Sequence, residues 1–274
     1  MISRVLRFSD EAAWISAIVA DFQAAIQTAI DRGQSAFNAN LSGGGTPEPV
    51  YRALAAAPLF AALGGRIDIH LWVGDEREVP ADSPHRNGRM IASAFGVGKE
   101  GAGEEAREGK GEREGMGAAA AARAAAAPTR GRSPIIHSWP EGDRLAACTV
   151  YSQELRNALG ILPIFDLAVL GMGVDGHTAG LFSIADIAAS DGAASFEATV
   201  AQPGNPPIAM PTTAPFEPRL RMTLAASVLK RSRATMILAR GSEKAATLDA
   251  IAKGGLFPIV LATGQNALFY YLEL

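Results

Sequence analysis

Of the four histidines in this sequence, only His177 stands in a glycine turn behind an apolar run: Phe165 to Leu170 leads into Gly171-Met172-Gly173-Val174-Asp175-Gly176-His177. A buried strand ending in such a turn throws its polar residues beyond the sheet edge, and an imidazole, with a reference pKa of about 6.5, suits proton transfer near neutrality. His177 is the strongest candidate for a catalytic base. The same glycines match a dinucleotide fingerprint, and Asp191 falls about 20 residues beyond Gly171, where a ribose-binding acid would stand. Asp175 and His177 would then crowd the negative charge of a pyrophosphate, and no clear strand follows. A nicotinamide enzyme is the weaker reading.

A second cluster is Ser42-Gly43-Gly44-Gly45-Thr46-Pro47, between a strand-like segment and a helix-like one. Unpaired backbone N–H groups at a helix N-terminus favour an anion such as phosphate. The Gly-Lys-Ser/Thr of a nucleotide P-loop is missing, and taken alone the turn is as consistent with a tight connection as with a phosphate site. Arg77, Arg221 and Lys244 are the cations that could complete it, each in or near a loop expected on the same sheet edge. A charge-assisted hydrogen bond contributes about 1.5–3 kcal/mol, so two or three would anchor a small phosphorylated molecule. Asp75 and Glu76 are either ion partners of Arg77 or binders of sugar hydroxyls. Cys148 and Ser183 carry no signature of an activated nucleophile, and no histidine–carboxylate spacing suggests a metal site.

The elements that would hold these residues alternate between strand and helix. Asp10 to Asp31 has apolar residues at helical spacing, capped by Ser9 or Asp10, and Ser35 to Leu41 reads as a strand. A second helix runs through Tyr51 and Leu54. Ile67 to Gly74 and Phe165 to Leu170 read as buried strands, Thr223 to Leu229 as helix, Ala234 to Ala239 as strand, and Gly241-Ser242-Glu243-Lys244 leads into a helix through Leu248 and Ile251. The pattern predicts a three-layer α/β fold, a mostly parallel, doubly wound sheet with helices on both faces, whose ligands sit beyond the carboxyl ends of the strands. Gly98 to Ser133, rich in glycine and charge and then in alanine, cannot form a core. It is expected to be a solvated insertion in a single domain spanning residues 1–274.

Composition narrows the function further. The net charge of −3 offers no field for nucleic acid or an anionic membrane. One cysteine excludes an internal disulfide and fits a reducing compartment. The N-terminal residues lack the apolar stretch of a signal peptide, so a cytoplasmic protein without an obligate protein partner is expected.

Taken together, Leu41 to Pro47, Trp72-Val73-Gly74-Asp75-Glu76-Arg77-Glu78-Val79-Pro80, Gly171 to Ala179, Pro218-Arg219-Leu220-Arg221-Met222-Thr223-Leu224 and Gly241 to Lys244 resemble, in order, the motifs of the 6-phosphogluconolactonases. The likeness covers nearly the whole chain apart from the insertion. Glucosamine-6-phosphate deaminases of the same superfamily typically have Asp-Glu-Tyr at positions 75–77 and a different run after the histidine. The sequence departs from the usual lactonase pattern at Gly180, Ser183 and Arg86, the last preceding Asn87 where serine is usual.

The resemblance implies a sugar-phosphate isomerase-like fold, no cofactor and hydrolysis of 6-phospho-D-glucono-1,5-lactone in the oxidative pentose phosphate pathway. Gly43, Gly44, Gly45 and Thr46 would hold the phosphate with Arg221 and Lys244, and His177 would activate water. Asp175 would hold the turn or orient the imidazole. Arg77 would bind substrate or stabilise the oxyanion, and Asp75, Glu76 and Asn87 would complete the binding site. A deaminase-isomerase and a non-catalytic phosphosugar-binding protein are the alternatives.

Overall fold

The computed structural model describes residues 4–97, 132–190, 207–264 and 266–274. The predicted insertion lies outside the described residues except for Arg132 and Ser133, and so does Asp191. Ten strands and nine α-helices are described: β1 Arg4–Phe8, α1 Glu11–Asp31, β2 Ala36–Leu41, α2 Glu48–Ala56, α3 Pro58–Gly64, β3 Asp68–Val73, β4 Asp75–Arg77, α4 Asn87–Ala94, β5 Ile135–His137, α5 Arg144–Leu159, β6 Leu167–Gly171, α6 Ile184–Ser190, β7 Ala209–Thr213, β8 Leu220–Leu224, α7 Ala226–Lys230, β9 Ala234–Arg240, α8 Ala245–Ala252, α9 Pro258–Leu261 and β10 Ala267–Leu272. A 3-10 turn, Ser242–Lys244, precedes α8.

Seven strands form one sheet in the order β1-β10-β9-β6-β2-β3-β5, and every pairing in it is parallel. The antiparallel pairings belong to a separate three-stranded sheet, β4-β8-β7. The expected mostly parallel sheet is thus a wholly parallel one with a small antiparallel sheet beside it. Strands β6, β9 and β10 are buried almost throughout, as a sheet covered on both faces requires.

From β1 to β5 the crossovers run one way along the sheet, and from β5 to β10 they run back. Since parallel crossovers are right-handed, this reversal puts α1 to α4 on one face and α5 to α9 on the other. The packing agrees: α1, α2 and α3 touch one another and α4 touches α2, while α6 touches α7 and α9.

The first helix shows why the sequence folds this way. Asp10 caps α1 by accepting from the Ala13 amide at 2.7 Å. Trp14, Ile18, Phe22 and Ile26 recur every four residues and are buried, each such side chain contributing about 1.5–3 kcal/mol. The helix is long and apolar enough to cross a membrane, but that apolar stripe faces the sheet. One sequence expectation needs correcting: Thr223 and Leu224 end strand β8, and helix begins only at Ala226. The apolar run is continuous across the junction, so periodicity does not locate it.

The chain reverses direction between β2 and β6, which are neighbours. The loops that follow them diverge and leave a crevice at the carboxyl edge. There the turns after β9, β6, β2 and β3 come together.

Candidate active site

The glycine turn after β2 is pinned at its base. Ser42 N–H donates to the Val169 carbonyl at 2.9 Å, and the Tyr51 hydroxyl, from α2, donates to the Ser42 carbonyl at 2.9 Å. Gly44 has φ +100°, a conformation that side chains resist. At Gly43 a Cβ would lie 1.9 Å from Asn87 Oδ1, so Asn87 packs directly on the turn. No side chain caps α2, which leaves its first-turn N–H groups to water or to an anion.

The turn after β6 closes on itself. Gly173 N–H donates to the His177 carbonyl, Gly176 N–H donates to the Gly173 carbonyl, and the Thr178 hydroxyl donates to the Gly171 carbonyl. His177 Nδ1 lies 2.5 Å from Asp175 Oδ1, which also accepts from the His177 amide at 3.1 Å. With Nδ1 carrying the proton toward Asp175, Nε2 is left as the basic nitrogen. Burial raises the Asp175 carboxyl, but the His177 amide and ring outweigh it and hold the group below its usual value.

The imidazole lies over Gly173, where a Cβ would come within 2.1 Å of Nδ1. The place a dinucleotide pyrophosphate would need is therefore filled by the protein's own ring. No helix opens at Gly176 either; a Thr178–Leu181 bridge follows, and α6 starts at Ile184. The fingerprint is a histidine turn.

Gly43, Gly44, Gly45, Thr46, Asp75, Arg77, Asn87, His177 and Lys244 line one cleft of about 270 Å³. Lys244 Nζ reaches it by donating to the Met172 carbonyl at 2.9 Å. Asp75 is buried, and burial raises its carboxyl above the usual range; Arg77, Arg221, His177 and the Asn87 amide pull the other way.

Three expected residues do not line that cleft: Asp175, which is paired with His177, Glu76 and Arg221. Glu76 is fully buried, and its carboxylate accepts from the backbone N–H groups of Arg77, Asn87 and Gly88 at 2.7–2.9 Å. It is a support, not a contact for a ligand in the cleft. Arg221 sits on β8 directly opposite Arg77 on β4, not in a loop. Its Nε and Nη1 are buried without a partner, and burial first, then the neighbouring Arg77, lower its pKa. A buried guanidinium with open donors is poised for an anion.

The sequence reading also passed over three residues. Ser42 heads the cleft with its hydroxyl buried and unpartnered. Phe182 and Phe216 stand with ring centroids 5.0 and 5.9 Å from the imidazole and form an apolar wall beside it. Ser42, at the head of the glycine turn, and Phe182, in the run after the histidine, carried a local signal; Phe216 carried none. Among the described residues no group of three or more His, Cys, Asp and Glu side chains could hold a metal ion.

With that geometry in place, the family described as glucosamine-6-phosphate isomerases/6-phosphogluconolactonase matches residues 9–269. The chain belongs to this family. It is 32% identical over 163 residues to a 6-phosphogluconolactonase of Nostoc sp., covering 57% of this chain and 53% of that one. The chain thus spans about half the length of that relative. A 6-phosphogluconolactonase of Thermotoga maritima is 27% identical over 232 residues, covering 85% and 82% of the two chains. The crystal structure of a Thermotoga maritima 6-phosphogluconolactonase superposes with a TM-score of 0.71 at 23% identity over 99% of this chain and 100% of that one, a likeness of fold.

Proposed function

We propose that the chain hydrolyses 6-phospho-D-glucono-1,5-lactone to 6-phospho-D-gluconate in the oxidative pentose phosphate pathway. The observation that carries this is the His177–Asp175 pair facing, across one small cleft, a helix-opening glycine turn and Lys244. The phosphate docks on Gly43, Gly44, Gly45 and Thr46 with Lys244, while Arg221, outside the cleft lining and opposite Arg77, adds positive charge from β8. That anchoring sets the lactone carbonyl beside His177.

His177 Nε2 then takes a proton from water as its oxygen adds to C1. The tetrahedral oxyanion collapses, the bond from C1 to the ring oxygen breaks, and the proton passes to the departing alkoxide. Arg77 stabilises the negative charge, Asp175 keeps the imidazole in the reacting tautomer, and Asp75 and Asn87 meet sugar hydroxyls. Nothing in this step calls for a cofactor or a covalent intermediate. We place the enzyme in the cytoplasm as part of the same proposal.

A deaminase is less favoured because Arg77, a fixed cation, stands where those enzymes typically carry tyrosine. A mere phosphosugar binder would have no use for an oriented imidazole. The test is hydrolysis of freshly generated lactone, corrected for its spontaneous opening, by wild type and His177→Ala. Wild type is expected well above background, and the folded variant lower by about 10²–10⁴-fold. A wild-type rate equal to background overturns the proposal.

A further inference from the structure

We propose that Arg86 is a positioning residue for this reaction: by pairing with Glu76 behind the cleft, it keeps the Asp75–Asn87 corner of the site in its working shape. The inference rests on the activity proposed above.

Arg86 is 6% exposed, and each of its nitrogens meets an oxygen. Nη1 donates to the Val79 carbonyl at 3.2 Å, Nη2 to the Trp139 carbonyl at 2.7 Å, and Nε lies 3.5 Å from Glu76 Oε2. Glu76 is fully buried and gathers the amides of Arg77, Asn87 and Gly88, two of which open α4. Asn87 Nδ2 in turn donates to the Asp75 carbonyl at 2.8 Å and to Asp75 Oδ2 at 3.1 Å, while the Asn87 side chain fills the space over Gly43. One continuous set of contacts runs from Arg86 to Gly43 of the glycine turn and to Asp75 in the cleft.

The charge is what matters in this chain of contacts. Three amides can be gathered by a carboxylate, whereas a protonated acid must spend one oxygen as a donor. Burial raises the Glu76 carboxyl above its usual value; the amides of Gly88, Arg77 and Asn87 oppose this first, and Arg86 is the cation in direct contact that adds to them. The other charged or titratable groups around Glu76 are Asp75 and Arg77 on its own strand, Arg221 on β8 and Tyr151 on α5. Glu78 and Glu141 line a second cavity that Arg86 also borders. Arg221 stands opposite Arg77 and over the Phe216 ring, and Tyr151 donates to the Val73 and His137 carbonyls. None of these replaces Arg86.

The sign follows. A carboxyl with a raised folded pKa binds more protons in the native than in the unfolded chain across the interval between the two values, so stability falls as pH rises through it. Removing the cation extends that interval upward.

The test compares full-length wild type, Arg86→Met and Arg86→Lys by pH profile and by melting. In Arg86→Met the acid limb of kcat/KM is expected to move up and steepen, as protonation of Glu76 joins that of the general base, and its melting deficit against wild type should widen from pH 5 to pH 8. Arg86→Lys keeps the charge but gives up the paired carbonyl contacts, and its acid limb should stay where the wild type has it. A uniform loss of activity with an unmoved limb in Arg86→Met would overturn the inference. If Arg86→Met does not fold, a displaced limb in Arg86→Lys overturns it instead. The melting arm needs no turnover, so it reads the ion pair even if the wild type fails to hydrolyse the lactone; that failure would sink the proposed activity alone.

Discussion

The two acidic segments of the site are built in opposite ways. Gly171 to His177 is local: one turn of seven residues carries its own hydrogen bonds, its own carboxylate and its own imidazole. Asp75 to Arg77 is assembled from afar, paired on one side with Leu220–Leu224 and held on the other by the start of α4. The first depends on backbone room and the second on burial, so substitutions in the two should fail differently.

Gly173→Ala tests the local turn most severely. The added methyl would fall on the His177 ring and the Asp175 carboxylate, not on backbone, so the fold should survive while the base is displaced. A misplacement of this size costs about 10²-fold in rate. Circular dichroism and lactone hydrolysis check the two halves of the expectation, and a fully active Gly173→Ala would show that the imidazole reaches its working position by another route.

Asp175→Asn should act less strongly. It leaves the turn nearly isosteric but removes the charge that fixes the proton on Nδ1, so kcat should fall about ten- to a hundredfold, the orientational share of a general base's ~10²–10⁴. KM should change little, because the phosphate turn lies across the cleft. A rise in KM with kcat intact would move Asp175 from orienting the base to binding substrate.

This contrast also explains what could be read in the sequence. His177, Asp175 and Gly43 to Thr46 were legible because each lies within a few residues of the features that give it meaning: an apolar strand before, a helix after, glycines between. The alternation of strand and helix likewise gave the parallel sheet. Glu76 looked like a ligand contact because the sequence does not say which way a three-residue strand faces; only the approach of Asn87 and Gly88 turns its carboxylate inward. Arg221 was expected in or near a loop and lies within β8, since the junction of β8 and α7 is apolar on both sides. Phe216 stands beside His177 through tertiary contact alone.

The smallest effect expected, and the sharpest on the difference between the two segments, is the pH dependence of stability in Asp175→Asn and Asp75→Asn. The Asp175 carboxyl is held below its usual value, so its contribution is present above the unfolded carboxyl pKa of about 3.9 and is lost as pH falls through the lower folded value. The Asp75 carboxyl is raised, mainly by burial, so its ionised form costs stability as pH rises from the unfolded value through the folded one. Against wild type, then, Asp175→Asn should be less stable at neutral pH and converge with it in acid. Asp75→Asn should gain on wild type as pH rises across the carboxyl range. Since the Asp175 side chain is half exposed, solvent screens its part, and the melting shift should be about 2 °C or less. Melting curves from pH 3 to pH 8 settle it: opposite slopes fit one carboxylate held by a local turn and another held by burial, and equal slopes would mean that both segments answer to the same field.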